Sequence, residues 1–239
     1  FKSFSGNSNI VWVSTLTNGV YYYSTLKNGG SLHLTKNRVS SIFKINDSLY
    51  FGTNKNIKCY VGDCNDLKYL KFNNVWDLKK DKLNNYIIAH DNGLSYYDLN
   101  NNEIKNIYDK SPIYSVSFSS NNHITFAGIS SGGLVSYDFT TKKTSTYLMK
   151  DKSEFYSKDT YVSSIINIEG QTWMATVSGL IGYDFKNNLE IVPPEFKSTS
   201  ILAIKKNKNK GFWFSAQGKG LYYYDLSLKK SKKILISDE

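Results

Sequence analysis

Arginine is what this sequence most conspicuously lacks: of 30 basic residues in a chain of 239, Arg38 is the only one. The formal net charge of +10 would by itself suggest a nucleic-acid partner. Base reading and base stacking, however, draw on the planar guanidinium fork. The lysines are scattered among asparagines, with short clusters only at 205–210 and 229–233. We read them as a solvated surface and expect no nucleic acid. Long apolar runs are lacking as well, so nothing here is built to cross a bilayer as a helix, and no membrane insertion by this segment is expected. No secretory leader is visible. A start at Phe1 rather than Met points to a mature form or an excised domain, so the terminus does not report localisation.

Cysteine and histidine are scarce. With only two cysteines in the chain, no second pair exists to complete a zinc site. Cys59 and Cys64 bracket Tyr-Val-Gly-Asp, a hairpin-like turn. They either face each other and form a disulfide, which suits an oxidising compartment, or remain two buried thiols. His33, His90 and His123 fall in three different phases of the repeat described below and cannot converge on a metal. There is no glycine-rich phosphate loop and no serine elbow. No cofactor, metal or catalytic set is expected, and an enzyme is the disfavoured reading.

What the chain has is repetition, the feature that decides an architecture before any single element is assigned. The segment 212–224, FWFSAQGKGLYYY, recurs as 11–23, 49–60, 86–97, 124–137 and 172–183. Each copy is a strand-like run, a polar loop, Gly, an apolar residue and a closing tyrosine: Tyr23, Tyr60, Tyr97, Tyr137, Tyr183 and Tyr224. The glycine is Gly19, Gly93, Gly133, Gly179 or Gly220, with Asn56 in the second copy, a residue that also tolerates positive φ. Upstream of each copy lies an apolar pair three apart: Phe1/Phe4, Val39/Ile42, Val75/Leu78, Ile113/Val116, Val162/Ile165 and Ile201/Ile204. Downstream comes a fourth β-rich run at 31–35, 67–72, 104–108, 144–149, 190–192 and 232–236.

Each repeat thus predicts four short strands, a to d, rich in Tyr, Val, Ile, Thr and Phe and punctuated by turn residues. Four strands cannot bury both faces of a sheet alone, so neighbouring repeats must supply the contact. Radial stacking of such sheets is the propeller solution. The predicted fold is an all-β propeller of four-stranded antiparallel blades. We expect one domain over 1–239, with six blades at about 1–37, 38–73, 74–111, 112–160, 161–199 and 200–239. These six either close by themselves or belong to a larger propeller. Strand b alternates a large residue (Trp12, Tyr50, Ile87, Trp173, Trp213, with Thr125 the exception) with a small one two positions on (Ser14, Gly52, Ala89, Ala127, Ala175, Ser215). That alternation lets facing sheets interdigitate, so the Trp/Tyr stripe is read as core. The acids after the tyrosine (Asp98, Asp138, Asp184, Asp225) are read as turn residues that bond backbone amides.

The segments 9–23, 171–184 and 211–225 resemble the two-component regulator propeller repeat, which pairs a Trp-Φ-(Gly/Ser)-Thr strand with Gly-Leu-x-x-(Tyr/Phe)-Asp. The resemblance extends through all six repeats. It implies the periplasmic sensor region of a bacterial hybrid histidine kinase or related regulator. Such a region detects an oligosaccharide or other small ligand and signals to domains of the same polypeptide, with a homodimer as the full receptor. The triple-tyrosine sandwich and membrane helix of that family do not follow before Glu239. The alternative is a cytoplasmic, WD-repeat-like interaction scaffold, which repeat 4 also resembles, although its Gly-His signature is missing.

Recognition on a propeller falls to the b–c and d–a loops and the adjoining start of strand a. Those positions hold Arg38, Trp76, His90, Tyr114, Tyr156, Tyr161, Gln217 and Lys219, our candidate ligand contacts, together with Phe155 in the longest d–a segment, 150–161. Aromatic faces beside polar groups suit a carbohydrate or peptide. For the compartment, natively purified protein is expected to show no free thiols in a mass-shift assay. Two free thiols would count against the extracytoplasmic reading.

Overall fold

The computed structural model describes residues 3–6, 10–14, 20–24, 29–33, 38–45, 47–61, 67, 70–119, 124–130, 132–147, 161–187, 189–207 and 211–234. The chain divides into two compact units, Phe1–Lys110 and Ser111–Glu239. The first unit holds three sheets. One is β1 (Ser3–Gly6), β2 (Ile10–Ser14), β3 (Val20–Ser24) and β4 (Gly29–His33). The next is β5 (Val39–Ile45), β6 (Ser48–Thr53) and β7 (Ile57–Val61), followed by β8 (Val75–Lys80), β9 (Tyr86–His90), β10 (Gly93–Asp98) and β11 (Glu103–Tyr108). The second unit also holds three. They are β12 (Ile113–Phe118) to β15 (Thr144–Tyr147) through β13 (Ile124–Ile129) and β14 (Leu134–Asp138), then β16 (Val162–Ile168), β17 (Gln171–Thr176), β18 (Gly179–Asp184) and β19 (Leu189–Ile191). The last sheet is β20 (Ile201–Asn207), β21 (Gly211–Ala216), β22 (Gly220–Asp225) and β23 (Lys230–Ile234). Consecutive strands pair antiparallel in sequence order throughout, the meander of a propeller blade.

The expectation of six four-stranded blades is corrected to five. The second repeat is a three-stranded sheet, and where a fourth strand is predicted at 67–72 the described residues, Leu67 and 70–72, are not strand. The physical reason lies in its apolar residues. Leu67 and Leu70 are both buried, three positions apart, and join one core cluster with Tyr50, Ile57, Tyr86 and Tyr97. A strand sends residues three apart to opposite faces. Leu67 instead lies in a turn, Leu70 N donates to Leu67 O at 3.3 Å, and both leucines are buried.

Within each unit the first strand of a sheet lies against the first two strands of the sheet before it: β5 on β1 and β2, β8 on β5 and β6, β16 on β12 and β13, β20 on β16 and β17. The apolar pairs three apart are the seam. Val39/Ile42, Val75/Leu78, Ile113/Val116, Val162/Ile165 and Ile201/Ile204 are all buried. Both members of a pair can face inward because a bulge separates them, as described below. Aromatic contacts complete the seam. Trp12 of the first sheet meets Phe51 and Tyr60 of the second at 6.2 and 5.2 Å between centroids, and Trp173 meets Phe212 and Tyr224 of the next sheet at 4.9 Å each. The large strand-b residue and the repeat tyrosine are therefore two halves of one inter-sheet contact.

Register revises the reading of two repeats. Thr125 pairs with Tyr137, as Thr172 pairs with Tyr183 and Phe212 with Tyr224. Phe126, not Thr125, therefore occupies the position of Trp173 and Trp213, and Gly128, not Ala127, is the small residue. A Cβ on Gly128 would lie 2.5 Å from Val162 Cγ1 of the next sheet, which is why that position stays small. Asn56 does not stand in for glycine through positive φ. It closes the turn with Thr53, whose hydroxyl donates to Asn56 O at 2.8 Å. The acids behave as turn residues: Asp98, Asp138, Asp184 and Asp225 each accept from two backbone amides two and three residues on, at 2.7 to 3.2 Å.

Gly93 and Gly220 both have positive φ, at 124° and 103°. They differ in what surrounds them: a Cβ on Gly93 would sit 1.9 Å from Tyr108 O, whereas on Gly220 the nearest atom is Lys233 Cε at 3.6 Å. Gly220→Ala is expected to cost about 1–2 kcal/mol from backbone strain alone. Gly93→Ala adds a backbone clash and should lose ~3 kcal/mol or more. Urea unfolding of the two variants checks the order.

Candidate functional site

The first strands share an irregularity. Register slips by one after the first residue in β5, β8, β12, β16 and β20, leaving one extra residue at the same place each time: Ser40, Trp76, Tyr114, Ser163 and Leu202. A bulge takes a side chain out of the strand's alternation and re-aims it. In two sheets the extra residue is a clip. Ser40 Oγ donates to Gly52 O in its own sheet (3.1 Å) and to Val75 O in the next (2.7 Å). Ser163 Oγ does the same toward Ala175 O (3.1 Å) and Ile201 O (3.3 Å). Trp76, Tyr114 and Leu202 have no hydroxyl at Cβ and cannot form that clip, so at three bulges the position is given over to a large side chain.

The b–c and d–a loops meet beside these bulges. The amide after a second strand donates to the carbonyl just before the first: Asn54 N to Arg38 O (3.2 Å), Asp91 N to Asn73 O (3.1 Å), Ser130 N to Pro112 O (2.9 Å) and Gln217 N to Ser200 O (2.8 Å). Each of these four sheets therefore presents its described loop residues and its bulge at one end.

In the first unit this brings Arg38, Trp76 and Asp91 together. The Trp76 indole Nε1 donates to Asp91 Oδ1 at 2.6 Å, and Asn74 Nδ2 donates to Asp91 Oδ2 at 2.5 Å. Asn74 holds its position in the left-handed region, φ 45°. The exposed Arg38 guanidinium lies over the Trp76 ring, 5.6 Å from its centroid. Asn54 Oδ1 and Asn74 Oδ1, on the flanking loops, are enclosed and have no donor. Unsatisfied buried carbonyls are uncommon and costly, about 1–3 kcal/mol each.

His90, though next to Asp91 in sequence, belongs to the interior. It is buried beside Phe72 at 4.6 Å between rings. Nδ1 accepts from Asn92 N at 3.2 Å, so Nε2 carries the proton and donates to Ser95 Oγ at 2.9 Å; Ser95 donates in turn to Asn106 Oδ1 at 3.0 Å. Burial lowers its pKa from 6.5 to about 4, against the smaller upward pull of Asp91. A neutral, fully bonded imidazole is a structural group, so His90 is withdrawn from the ligand contacts.

In the second unit Tyr114 meets the exposed Tyr161 edge-on at 5.9 Å. Gln217 and Lys219 lie exposed in the β21–β22 turn. Lys219 is committed: Nζ donates to Glu195 O at 3.1 Å and sits 5.8 Å from the Phe196 ring centroid. Phe155 and Tyr156 lie outside the described residues. Cys59 is disulfide-bonded, and Cys64 lies outside the described residues. Among the described residues no cluster of His, Cys, Asp or Glu is arranged to hold a metal, and no helix is long and apolar enough to cross a membrane. Sequence reasoning missed Asp91, Asn74 and Asn54. The available signal was that a half-buried indole N–H needs an acceptor and that Asp91 sits in the adjoining b–c turn.

Neither a family model nor a curated protein matches the chain. Solved structures do. The extracellular domain of BT4673 from B. thetaiotaomicron, named both as a one-component and as a hybrid two-component system, superposes with a TM-score of 0.72 at 20% identity, over 98% of this chain and 33% of that one. The extracellular domain of BT3049 from the same organism, named as a hybrid two-component system, gives 0.72 at 14%, over 99% and 35%. Virginiamycin B lyase from Staphylococcus aureus gives 0.71 at 10%, over 100% and 85%. The fold is a β-propeller. At these identities the likeness extends to fold alone, and the chain spans about a third of the BT4673 and BT3049 domains. A propeller with this fold can also be a lyase, so role must be argued from the site.

His90 gives the site's surroundings a pH dependence. The unfolded chain takes up this proton near pH 6.5 and the folded chain only near 4. Its contribution is therefore present above pH 6.5 and is lost as pH falls toward 4, on the order of 3 kcal/mol in all. Urea unfolding at pH 7.5 and 4.5 should show this loss in the native chain and a smaller one in His90→Gln.

Proposed function

We propose that the chain is part of a ligand-sensing propeller in an extracytoplasmic bacterial signalling receptor. It binds an oligosaccharide or other small ligand and passes the event to a kinase or regulator module elsewhere in the same polypeptide. The observation that carries this reading is the divergence of the bulge position. Its structural use is the serine clip of Ser40 and Ser163. At Trp76 and Tyr114 that use is given up for aromatic side chains at the loop-bearing end of the sheet, where recognition on a rigid scaffold tends to sit. Two further facts support it: similarity of fold to the extracellular domains of BT4673 and BT3049, and a disulfide-bonded Cys59, which belongs in an oxidising compartment. Its partner in this reading is Cys64, the other cysteine of the chain.

Binding follows from the side chains available: Trp76 beside Arg38 and Asp91 in the first unit, and Tyr114 against Tyr161 in the second. Aromatic surface next to fixed polar groups suits sugars, whose C–H faces and hydroxyls need both. Gln217 remains available as a polar contact, while Lys219 serves its own turn. A thermal-shift screen against oligosaccharides tests the reading. At least one should raise the melting temperature, and Tyr161→Ala should reduce that shift while leaving the ligand-free melting temperature within about 2 °C of the native value. A ligand-free protein that unfolds on this substitution would make Tyr161 a core residue instead.

A further inference from the structure

The chain's only arginine stands at the one place where its charge is displayed on an aromatic face. From this the geometry points to a ligand of a particular class: a saccharide bearing a carboxylate, recognised by Arg38. This inference rests on the sensing function proposed above and deepens it.

Three features of the cluster lead there. First, the guanidinium sits over an aromatic face rather than against an acid. Its centre lies 5.6 Å from the Trp76 centroid, and among the described residues no carboxylate pairs with it. A cation–π contact uses the charge and not the N–H donors, which stay available for a two-pronged bond to a carboxylate. Second, the nearby acid is already spent. Asp91 accepts from the Trp76 indole and from Asn74, one donor on each oxygen, so both oxygens fix the platform and neither pairs with Arg38. A platform that is itself anchored keeps an arginine pre-organised, which lowers the ordering cost of binding. Third, Asn54 and Asn74 place amide oxygens without donors on the loops either side of Arg38 and Trp76. Asn74 is held by its own bond to Asp91, but rotation of the Asn54 amide would present its oxygen to a hydroxyl. An anion with no hydroxyls would leave that acceptor unsatisfied, and a neutral sugar would leave the arginine unanswered. An acidic sugar satisfies both.

Lysines cannot replace Arg38 here. An ammonium is a point charge with no plane to stack and no fork to match a carboxylate. That difference is what the test uses. Binding to the whole chain is measured by calorimetry with uronate oligosaccharides (galacturonan, hyaluronan and alginate fragments), their carboxyl methyl esters, and neutral galactan, cellulose and mannan fragments. At least one uronate oligosaccharide should bind, and more tightly than its own ester by about tenfold or more. Arg38→Ala should remove that preference, and Arg38→Lys should recover only part of it, both with unchanged melting temperature because Arg38 is exposed. Equal binding of ester and acid, binding of neutral fragments alone, or uronate binding indifferent to Arg38→Ala would overturn the inference and leave the sensing function standing. Failure of every fragment, acidic and neutral, would remove the saccharide-sensing reading and this inference together.

Discussion

The structure depends on one contact made repeatedly: a large side chain from the second strand of one sheet entering the aromatic face of the next. Trp12 on Phe51 and Tyr60, and Trp173 on Phe212 and Tyr224, are two instances 161 residues apart along the chain; each tryptophan meets the next sheet's closing tyrosine and a phenylalanine of its second strand, although Phe51 and Phe212 hold different register positions. A four-stranded sheet that buries one face has too little core to be stable alone. The contact supplies what is missing, and it explains the rest of the repeat. The closing tyrosine is the receiving surface. The small residue two positions beyond the large one makes room for the next sheet's first strand, where Gly52 and Gly128 would each bring a Cβ too close to Val75 and Val162. Where the second repeat loses its fourth strand, Leu67 and Leu70 fill the core by another route, and the seam to the next sheet survives.

The same stacking produces the site. Within each unit the first strands of neighbouring sheets lie side by side, and in β5, β8, β12, β16 and β20 a one-residue bulge near the start directs a side chain out of the regular alternation. Serine at the bulge ties one sheet to the next. A large residue gives up that bond, at a cost of about 1 kcal/mol for an ordinary hydrogen bond, and the repetition of the scaffold makes the loss tolerable. Repeats thus separate structural from functional duty within one position: most of what recurs is framework, and the departures are where chemistry can enter. Asp91 illustrates it, since none of the four turn aspartates shares its place.

Much of the fold was legible in the sequence because periodicity reports burial directly. Tyr97, Tyr137 and Tyr224 are buried, the apolar pairs line the seam, and four aspartates cap their turns. Less of the site was legible. Arg38 and Trp76 were found from their place in the repeat, but their partner Asp91 lies fifteen residues beyond Trp76 and fits no motif. His90 looked like a surface contact because strand ends are ordinarily exposed. The chain His90–Ser95–Asn106 that satisfies its ring crosses two strand pairings and is invisible in the linear order.

What the sequence determined alone was the unit: strand order, turn chemistry and the alternation of large and small, all set by interactions between residues near one another or repeated at a fixed distance. Tertiary structure alone decided three matters. It set how many sheets have four strands, because the second repeat chose burial of Leu67 and Leu70 over pairing. It decided that Phe126 and Gly128 carry the roles read into Thr125 and Ala127, because hydrogen-bond register rather than spacing assigns a residue to a face. It also placed the only arginine over an indole whose N–H is bonded to a carboxylate fifteen residues on. Each turns on contacts between segments far apart in the chain, and a local pattern carries no record of those.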